Sequence, residues 1–183
     1  MSLLDVQDLT LQFDTDEGRI TAVDSVSFRV EPGEVLGLVG ESGSGKSVTA
    51  KAIMKLNPGN ARYGDDSRIT LNLDQGPIDV LGLKGRDMQV VRGGAVSMIF
   101  QEPMASFAPA ITIGDQMVEQ LLLHTTSDKK EAKRISIEML DRVGISDAAK
   151  RFEQYAFELS GGMRQRAMIA MALSTKPKLL IAD

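Results

Sequence analysis

Glu34-Val-Leu-Gly-Leu-Val-Gly40 is followed directly by Glu41-Ser42-Gly43-Ser44-Gly45-Lys46-Ser47, so that an apolar run opens onto the pattern GxxxxGK[ST]. Glycines in this pattern let the backbone fold closely around phosphate groups, and the exposed N–H groups then point at the anion. A helix that begins at Lys46 adds the positive end of its dipole. The stretch predicts a phosphate-binding loop between a buried strand at 35–39 and a helix at 47–56, and therefore a site for a nucleoside triphosphate.

The two residues that close the pattern have chemical roles of their own. The ammonium group of Lys46 is a mobile charge for the β- and γ-phosphates, and the Ser47 hydroxyl is a hard oxygen ligand suited to Mg²⁺. The alternative is a plain glycine-rich turn between a strand and a helix. The candidate nucleotide-binding residues of the loop are Gly40, Glu41, Ser42, Gly43, Ser44, Gly45, Lys46 and Ser47.

The composition limits the classes of function. With 183 residues, of which 43% are apolar, the chain is long enough for one domain with a substantial core. A formal net charge of −4 argues against general nucleic-acid binding, which usually needs a basic surface. The absence of cysteine excludes disulfides and thiolate metal sites within these residues. Since the sequence shows no signal-peptide pattern and no apolar run of about 18 residues, we expect any membrane role to be peripheral.

Hydrophobic periodicity separates a strand-rich part of the chain from a helix-rich part. Strands are predicted at 3–13, 20–30, 69–73, 78–80, 95–100 and 178–182. One helix is predicted from Thr112, where Asp115 completes a capping-box-like start, and another from 127 to 143 with Gly144 as its stop. A third is predicted after Ser160. The apolar stripe of the second helix consists of Ile135, Met139 and Val143.

A second candidate anion site lies in the stretch Leu159-Ser160-Gly161-Gly162-Met163-Arg164-Gln165-Arg166. Ser160 is a favourable helix N-cap, and the two glycines leave the N–H groups of the first turn unshielded. The alternative is an ordinary flexible loop in front of a capped helix. The stretch therefore predicts a helix whose N-terminus can face an anion.

These motifs and their order are similar to those of ATP-binding-cassette (ABC) ATPases. LSGGMRQR resembles the signature motif of that family, and the phosphate loop, Gln101 and KLLIAD resemble its Walker A motif, Q-loop and Walker B motif. A subfamily resemblance, to the ATPase subunits of oligopeptide, dipeptide and nickel importers, rests on GESGSGKSVTAKAIM, MIFQEPM, ISIEMLDRVGI, LSGGMRQRAMIAMAL and KPKLLIAD. The chain departs from the subfamily pattern at 105–109 and at Tyr155-Ala156-Phe157.

The resemblance implies an α/β fold of the P-loop NTPase class, an ABC ATPase core with an antiparallel β subdomain and a helical subdomain. It divides the chain into 1–101 (β subdomain and phosphate-loop core), 102–158 (helical subdomain) and 159–183 (signature helix and Walker B strand). The family continues after the Walker B motif with a catalytic glutamate and a switch histidine. We therefore expect the C-terminal part of the fold to be missing from residues 1–183, and this fragment not to hydrolyse ATP at a family-like rate.

The resemblance also assigns roles at the site, with ATP and Mg²⁺ as cofactors. Phe13 lies where the family places an aromatic ring that stacks on adenine, although an ordinary core phenylalanine is the alternative. Gln101 matches the glutamine that reaches Mg²⁺ and the attacking water, and Asp183 matches the Walker B aspartate. The implied metal ligands are Ser47, Gln101 and Asp183. The implied catalytic residues are Lys46 and Gln101.

The implied partners are protein subunits. A second ABC ATPase subunit, identical or different, would pair head to tail with this one, and its bound ATP would meet Ser160, Gly161 and Gly162. Membrane permease subunits would bind the helical insertion, where Phe107 and Ile111 are expected to be exposed contacts. A solute-binding protein would act through the permease, and no nucleic-acid partner is expected. The implied location is peripheral, at the cytoplasmic face of the inner membrane.

The function that these inferences favour is the coupling of ATP binding and hydrolysis to the uptake of peptides or similar small solutes. Two alternatives stay open at this point. One is a soluble ABC ATPase that acts on ribosomes or DNA. The other is a non-catalytic nucleotide-binding remnant, which the missing glutamate favours.

Two further features have ordinary structural interpretations. His124, the only histidine, is predicted to be a surface residue at a helix end. The basic residues Lys129, Lys130, Lys133 and Arg134 are predicted to form one solvated helix face.

Overall fold

The computed structural model describes residues 2–183, except the side chains of residues 104 and 105. The chain forms two compact units, one that ends at Val91 and one that spans Arg92–Asp183. Each unit has its own elements and its own buried residues, and each is described by itself. The subdomain boundaries predicted after residues 101 and 158 stay a prediction.

The first unit is built on an antiparallel sheet. Its strands are β1 (Leu4–Thr15), β2 (Gly18–Val30), β3 (Ala61–Tyr63), β4 (Arg68–Leu73) and β5 (Gly76–Asp79). The sheet order is β2-β1-β4-β5, and β3 pairs with β1 beyond the end of β4. Apolar residues alternate along the central strands, so one face of the sheet forms a core. That core includes Leu4, Val6, Leu9, Leu11, Ile69 and Leu71, all of them buried. The strands predicted at 3–13, 20–30 and 69–73 are confirmed, the strand predicted at 78–80 lies at Gly76–Asp79, and β3 was not predicted.

The predicted buried strand at 35–39 is wrong. Residues 34–40 have no strand structure, Val35 is 95% exposed and Val39 is 94% exposed. Periodicity shows that a segment can be buried, but a strand also needs hydrogen-bond partners on a neighbouring strand. No strand among residues 2–183 pairs with this segment. The apolar run therefore lies in exposed chain without regular secondary structure, in front of the phosphate loop.

Helix α1 (Lys46–Ile53) follows the loop, and its start agrees with the prediction. It ends three residues before Leu56, because Lys55 adopts a left-handed conformation with φ of 48°. The Lys55 side chain then donates hydrogen bonds to the carbonyl oxygens of Leu81 (2.9 Å) and Leu83 (2.8 Å). These bonds attach the end of α1 to a distant loop, a contact that local sequence signals do not contain.

The second unit combines two parallel strands with a group of helices. The strands are β6 (Val96–Ile99) and β7 (Leu179–Ala182), and the helices are α2 (Ile113–His124), α3 (Lys129–Arg142), α4 (Ala148–Phe152) and α5 (Gly161–Ser174). Short 3₁₀ segments occupy Pro103–Ser106 and Ala156–Glu158. The helix starts follow the predicted capping chemistry, since Thr112 Oγ1 accepts a hydrogen bond from the Asp115 N–H at 3.1 Å. Gly144 ends the turn after α3 with φ of 78°, as predicted.

The helices share one apolar core, and two predictions about it need correction. Phe107, expected to be an exposed contact, is buried in this core, whereas Ile111 is exposed as expected. In α3 the fully buried residues are Ala132, Ser136 and Leu140, while the predicted stripe packs against the core only partly buried. Several helices pack against α3, so its buried face is wider than the single apolar stripe that the sequence spacing predicts. Among the described residues, no helix combines the length and apolar character that crossing a membrane requires.

Candidate functional site

The phosphate loop of the first unit has a backbone that only glycine fits at two positions. Gly43 and Gly45 have φ values of 82° and 90°, in the left-handed region that other residues avoid. A Cβ atom at Gly45 would lie 2.5 Å from the carbonyl oxygen of Ala22, and one at Gly40 would lie 2.5 Å from Ser44 Oγ. The loop therefore turns tightly against β2. A side chain at Gly45 would therefore disrupt the close approach of the loop backbone to β2.

The Lys46 ammonium group lies over this loop. Its Nζ donates hydrogen bonds to the carbonyl oxygens of Gly40 (2.9 Å) and Glu41 (2.6 Å), and it lies 3.4 Å from Ser44 Oγ. Helix α1 begins at the same residue, and the Thr49 N–H donates to the Gly45 carbonyl oxygen at 2.8 Å. A positive side chain and the positive end of a helix are thus held at one loop, which is the electrostatic environment that an anion prefers. Ser47, in the first turn of α1, is partly buried.

Phe13 lies on β1 in the same unit as the phosphate loop. Its Cα partners are Ile20 on β2 and Ala61 on β3, so that both neighbouring strands flank it on one face of the sheet. Phe13 is partly buried, and Ile20 is 57% exposed. Ala22, two residues after Ile20, is the residue whose carbonyl oxygen meets Gly45. Strand β2 therefore connects this apolar surface to the phosphate loop.

Gln101 and Asp183 both lie beyond the carboxyl ends of the parallel strands β6 and β7. The two strands are parallel, with Ile99 opposite Ala182, and the Asp183 N–H donates to the Ile99 carbonyl oxygen at 3.0 Å. Gln101 follows β6 by two residues, Asp183 follows β7 directly, and both are exposed. The carboxyl ends of neighbouring parallel strands are a common position for ligand-binding residues. The fold thus brings together two residues that are distant in sequence and that we predicted to share a metal site.

The glycine-rich start of helix α5 is open to solvent. Ser160 is its N-cap, and Ser160 Oγ accepts a hydrogen bond from the Met163 N–H at 3.4 Å. Gly161 and Gly162 are exposed, and apart from adjacent residues and the nearby backbone of α5 no described atom lies within 4 Å of the place where a Cβ would be. The buried Leu159 anchors the segment just before the cap. The N–H groups of the first turn are therefore accessible, as the sequence predicts for an anion site.

Some features of these surfaces were not predicted. The Asp14 carboxylate accepts hydrogen bonds from Arg62 and Arg19, and these bonds hold the pKa of Asp14 below its ordinary value. The rings of Tyr155 and Phe157 stack with centroids 5.4 Å apart and an interplanar angle of 5°. The departure of this segment from the subfamily pattern was the only sequence signal for the aromatic pair. No local pattern indicates the contact of Asp14 with Arg62, because the two residues lie on separate strands.

The chain belongs to the ABC transporter family, since the family model described as ABC transporter matches residues 23–183. This match confirms the resemblance on which the sequence-based predictions rest. The fold class predicted from it, an α/β P-loop ATPase with an antiparallel β part and a helical part, is also confirmed.

Curated relatives in peptide import systems are similar over nearly all of these residues. The oligopeptide transport ATP-binding protein OppD of Salmonella typhimurium is 47% identical over 181 residues, which are 99% of this chain and 52% of the relative. OppD of Bacillus subtilis is 48% identical over 181 residues, 99% of this chain and 49% of the relative. A putative peptide import ATP-binding protein of Brucella melitensis is 48% identical over 182 residues, 99% of this chain and 54% of the relative. The chain spans about half the length of the curated relatives it matches.

Solved ABC cassettes share the fold. The dimeric bacterial ABC transporter cassette MJ0796 matches with a TM-score of 0.82 and 22% identity, over 98% of this chain and 73% of the cassette. The protein cbiO1 of Clostridium perfringens, part of the ABC transporter complex cbiONQ, matches with a TM-score of 0.71 and 23% identity, over 100% of this chain and 65% of cbiO1. At these identities the likeness shows the fold alone.

Proposed function

We propose that this chain is the ATP-binding part of an ABC importer subunit that couples ATP binding and hydrolysis to the uptake of peptides or similar small solutes. The observation that carries the proposal is the phosphate loop, in which Gly43 and Gly45 adopt the left-handed conformation that favours glycine and the lysine ammonium group lies over the loop backbone. The similarity to peptide import ATP-binding proteins supports the importer class and the kind of solute.

The residues of the loop fit the triphosphate of ATP. The loop at Gly40 to Ser44 is exposed, and Gly45 lies so close to the Ala22 carbonyl oxygen that no side chain fits there. Lys46 would exchange its hydrogen bonds to loop carbonyl oxygens for contacts with the β- and γ-phosphates, which are stronger because both partners are charged. The adenine ring would stack on Phe13, which lies in the same unit. The loop would thus bind the phosphates and the sheet would bind the base.

Ser47 at the phosphate loop of the first unit is a proposed Mg²⁺ ligand, and so are Gln101 and Asp183 at the carboxyl ends of β6 and β7 in the second unit. Among the described residues, no group of three or more His, Cys, Asp or Glu side chains is arranged to hold a metal ion by itself. The oxygen atoms of the proposed ligands belong to a hydroxyl, an amide and a carboxylate, which are the hard ligands that Mg²⁺ prefers. When bound, Mg²⁺ would neutralise charge on the phosphates. We further propose that Gln101 orients the attacking water, so that Lys46 and Gln101 act on the reacting groups.

Two kinds of protein partner complete the proposal. The exposed N–H groups at Ser160, Gly161 and Gly162 would bind the γ-phosphate of ATP held by a second ATPase subunit, arranged head to tail. Permease subunits would bind the second, helical unit (Arg92–Asp183) through the exposed aromatic pair Tyr155–Phe157. A solute-binding protein would act through the permease subunits. The chain would then lie at the cytoplasmic face of the membrane, without a nucleic-acid partner.

The lysine of the loop provides the test. We expect Lys46→Ala to weaken ATP binding roughly ten- to a hundredfold, because charge-assisted contacts of this kind are worth about 1.5–3 kcal/mol. The affinity would be measured by calorimetric titration with and without Mg²⁺. Lys51→Ala is the matched control, since it removes the same charge from the same helix away from the loop, and its affinity should equal that of the wild type. Unchanged ATP affinity in Lys46→Ala would contradict the proposed site.

A further inference from the structure

Asp14 joins three segments of the first unit around Phe13. Its Oδ1 accepts a hydrogen bond from Arg19 Nε at 3.0 Å, and its Oδ2 accepts one from Arg62 Nε at 2.8 Å. The Asp14 N–H donates to the Asn60 carbonyl oxygen at 3.1 Å, and Asn60 Nδ2 donates to the Asp14 carbonyl oxygen at 2.9 Å. One residue at the end of β1 therefore holds the start of β2 and the start of β3.

The segments that Asp14 joins are the ones that flank Phe13. Ile20 and Ala61 are the Cα partners of Phe13. Arg19 directly precedes Ile20, and Arg62 directly follows Ala61. Successive residues of a strand point to opposite faces of the sheet, so the Asp14 ion pairs lie on the face opposite Phe13. The carboxylate thus supports the Phe13 surface from behind and leaves its ring face clear.

At this end of the sheet, β1 pairs with β2 over the four residues 12–15 and with β3 over three. Strand β3 has three residues, and the pairing of β1 with β2 shifts register between Leu11 and Gln12. Each ion pair is solvent-exposed, and such pairs are weak singly, but here two of them share one carboxylate. Because Gly45 of the phosphate loop lies against Ala22 of β2, the position of this hairpin also sets the relation between Phe13 and the loop.

We propose that Asp14 is a positioning residue that holds Phe13 as the surface for the nucleotide base, at a fixed place relative to the phosphate loop. This inference rests on the proposed function, in which Phe13 stacks on adenine. Asp14 acts through Phe13 and touches neither the base nor the phosphates. Loss of the carboxylate should therefore weaken recognition of the base without weakening recognition of the phosphates.

The test compares a ligand that has a base with one that has none. We expect Asp14→Asn to lower the affinity of the full chain for ATP about two- to fivefold, the range that exposed ion pairs allow. The affinity for inorganic tripolyphosphate should stay unchanged. Asp16→Asn is the control, because it removes the same charge from the same hairpin and Asp16 makes no hydrogen bond or ion pair among the described residues. Asp14→Glu, which keeps the carboxylate, should retain part of the ATP affinity.

Other outcomes overturn the inference. Equal losses for ATP and tripolyphosphate would show a general structural role, and no loss for either would show no role. Phe13→Ala separates the two levels of the proposal: if it also leaves ATP affinity unchanged, the proposed base site fails and the inference fails with it. If Phe13→Ala weakens ATP binding and Asp14→Asn does not, only the inference fails. Should Asp14→Asn not fold, Arg62→Gln removes one of the two ion pairs and is expected to show a smaller loss in the same ATP-selective pattern.

Discussion

His124 is the only histidine of the chain, and it ends helix α2, as predicted from the sequence. The imidazole ring of His124 is partly buried. It lies against Gly93, so closely that a Cβ on Gly93 would be 2.9 Å from His124 Nε2. This close approach removes water from the imidazole, and burial lowers the pKa of His124 below its ordinary value of 6.5. At the scale of single residues, a glycine that is distant in sequence thus lowers the pKa of a histidine for which the sequence alone predicts a surface position.

The lowered pKa predicts how stability depends on pH. The unfolded chain takes up a proton at His124 near its ordinary pKa, whereas the folded chain resists protonation until a lower pH. The stabilising effect of neutral His124 is therefore complete above the ordinary pKa and declines as the pH falls through the window down to the folded pKa. We expect the thermal midpoint of the wild type to fall between about pH 7.5 and about pH 5.5.

The His124→Gln variant is the comparison for this measurement. It keeps a polar side chain of similar size that does not titrate, so its thermal midpoint should change less over the same pH range. Because the sequence holds no second histidine, few other groups titrate in this window. Equal changes in the two proteins would contradict the assignment to His124.

At the scale of elements, α2 and α4 meet at a position where no side chain fits. A Cβ at Gly114 in the first turn of α2 would overlap the ring of Phe152 in α4. Phe152 is buried, and Lys133 Nζ of α3 lies 4.8 Å from its ring centroid. The Ile113 N–H donates to the Gln154 carbonyl oxygen at 2.8 Å and holds the chain after α4 against the start of α2. The packing of α2 on α4 therefore requires glycine at position 114, although glycine normally destabilises a helix.

This packing predicts that Gly114→Ala changes the free energy of unfolding in the direction opposite to the one that helix propensity predicts. Replacing glycine by alanine in a helix normally stabilises it by about 1 kcal/mol. We expect Gly114→Ala instead to lower the free energy of unfolding by about 1–3 kcal/mol, because the added methyl group forces the ring of Phe152 to move. Denaturant unfolding followed by circular dichroism would measure this difference.

A second variant shows whether the cause is the ring. Phe152→Leu removes it, so Gly114→Ala should cost less in that background, and the two changes should be non-additive. Gly59→Ala is a control, since nothing lies within 4 Å of a Cβ at Gly59. If Gly114→Ala stabilises the protein, the described packing of α2 on α4 is wrong.

At the scale of the whole molecule, the exposed aromatic pair Tyr155–Phe157 is the most distinctive apolar feature of the helical unit. Phe157 is 61% exposed, and its ring stacks on that of Tyr155. The turn that carries the pair is held by the Glu158 carboxylate, which accepts a hydrogen bond from the Tyr155 N–H at 2.8 Å. A rigid, exposed aromatic surface has little conformational entropy to lose on binding, as is typical of residues that dominate an interface.

The proposed permease interface predicts a selective defect. We expect Phe157→Ala to weaken association with the permease subunits of its transporter by about 2 kcal/mol, which is roughly thirtyfold. The affinity for ATP should not change. Co-purification from membranes at graded salt and detergent concentrations would measure the association.

Leu123→Ala serves as the control, because Leu123 is also an exposed apolar residue of the helical unit. It should leave the association unchanged. Equal retention of the permease by Phe157→Ala and the wild type would show that the pair is not part of the interface. Phe107, which we had expected to contribute, is excluded from such a surface because it is buried.

The sequence by itself determined the parts of this protein whose causes are local. Glycine spacing and a following lysine predicted the phosphate loop, and capping residues predicted the starts of α2 and α5, because each depends on the chemistry of a few consecutive residues. Strand patterns predicted β1 and β4, and a short apolar run predicted β6, in the same way. These signals and the order of the motifs were sufficient to predict the family.

Only the tertiary structure decided which segments find partners. The apolar run at 35–39 reads as a buried strand, yet it is exposed, because strand formation depends on a neighbour that its own residues do not specify. Phe107 is buried and Asp14 holds Arg62 for the corresponding reason, since both contacts join residues far apart in sequence. Gln101 and Asp183 both lie at the carboxyl ends of β6 and β7 because of the parallel register of these strands. Local patterns record what a segment can do, whereas burial and pairing are properties of two segments at once.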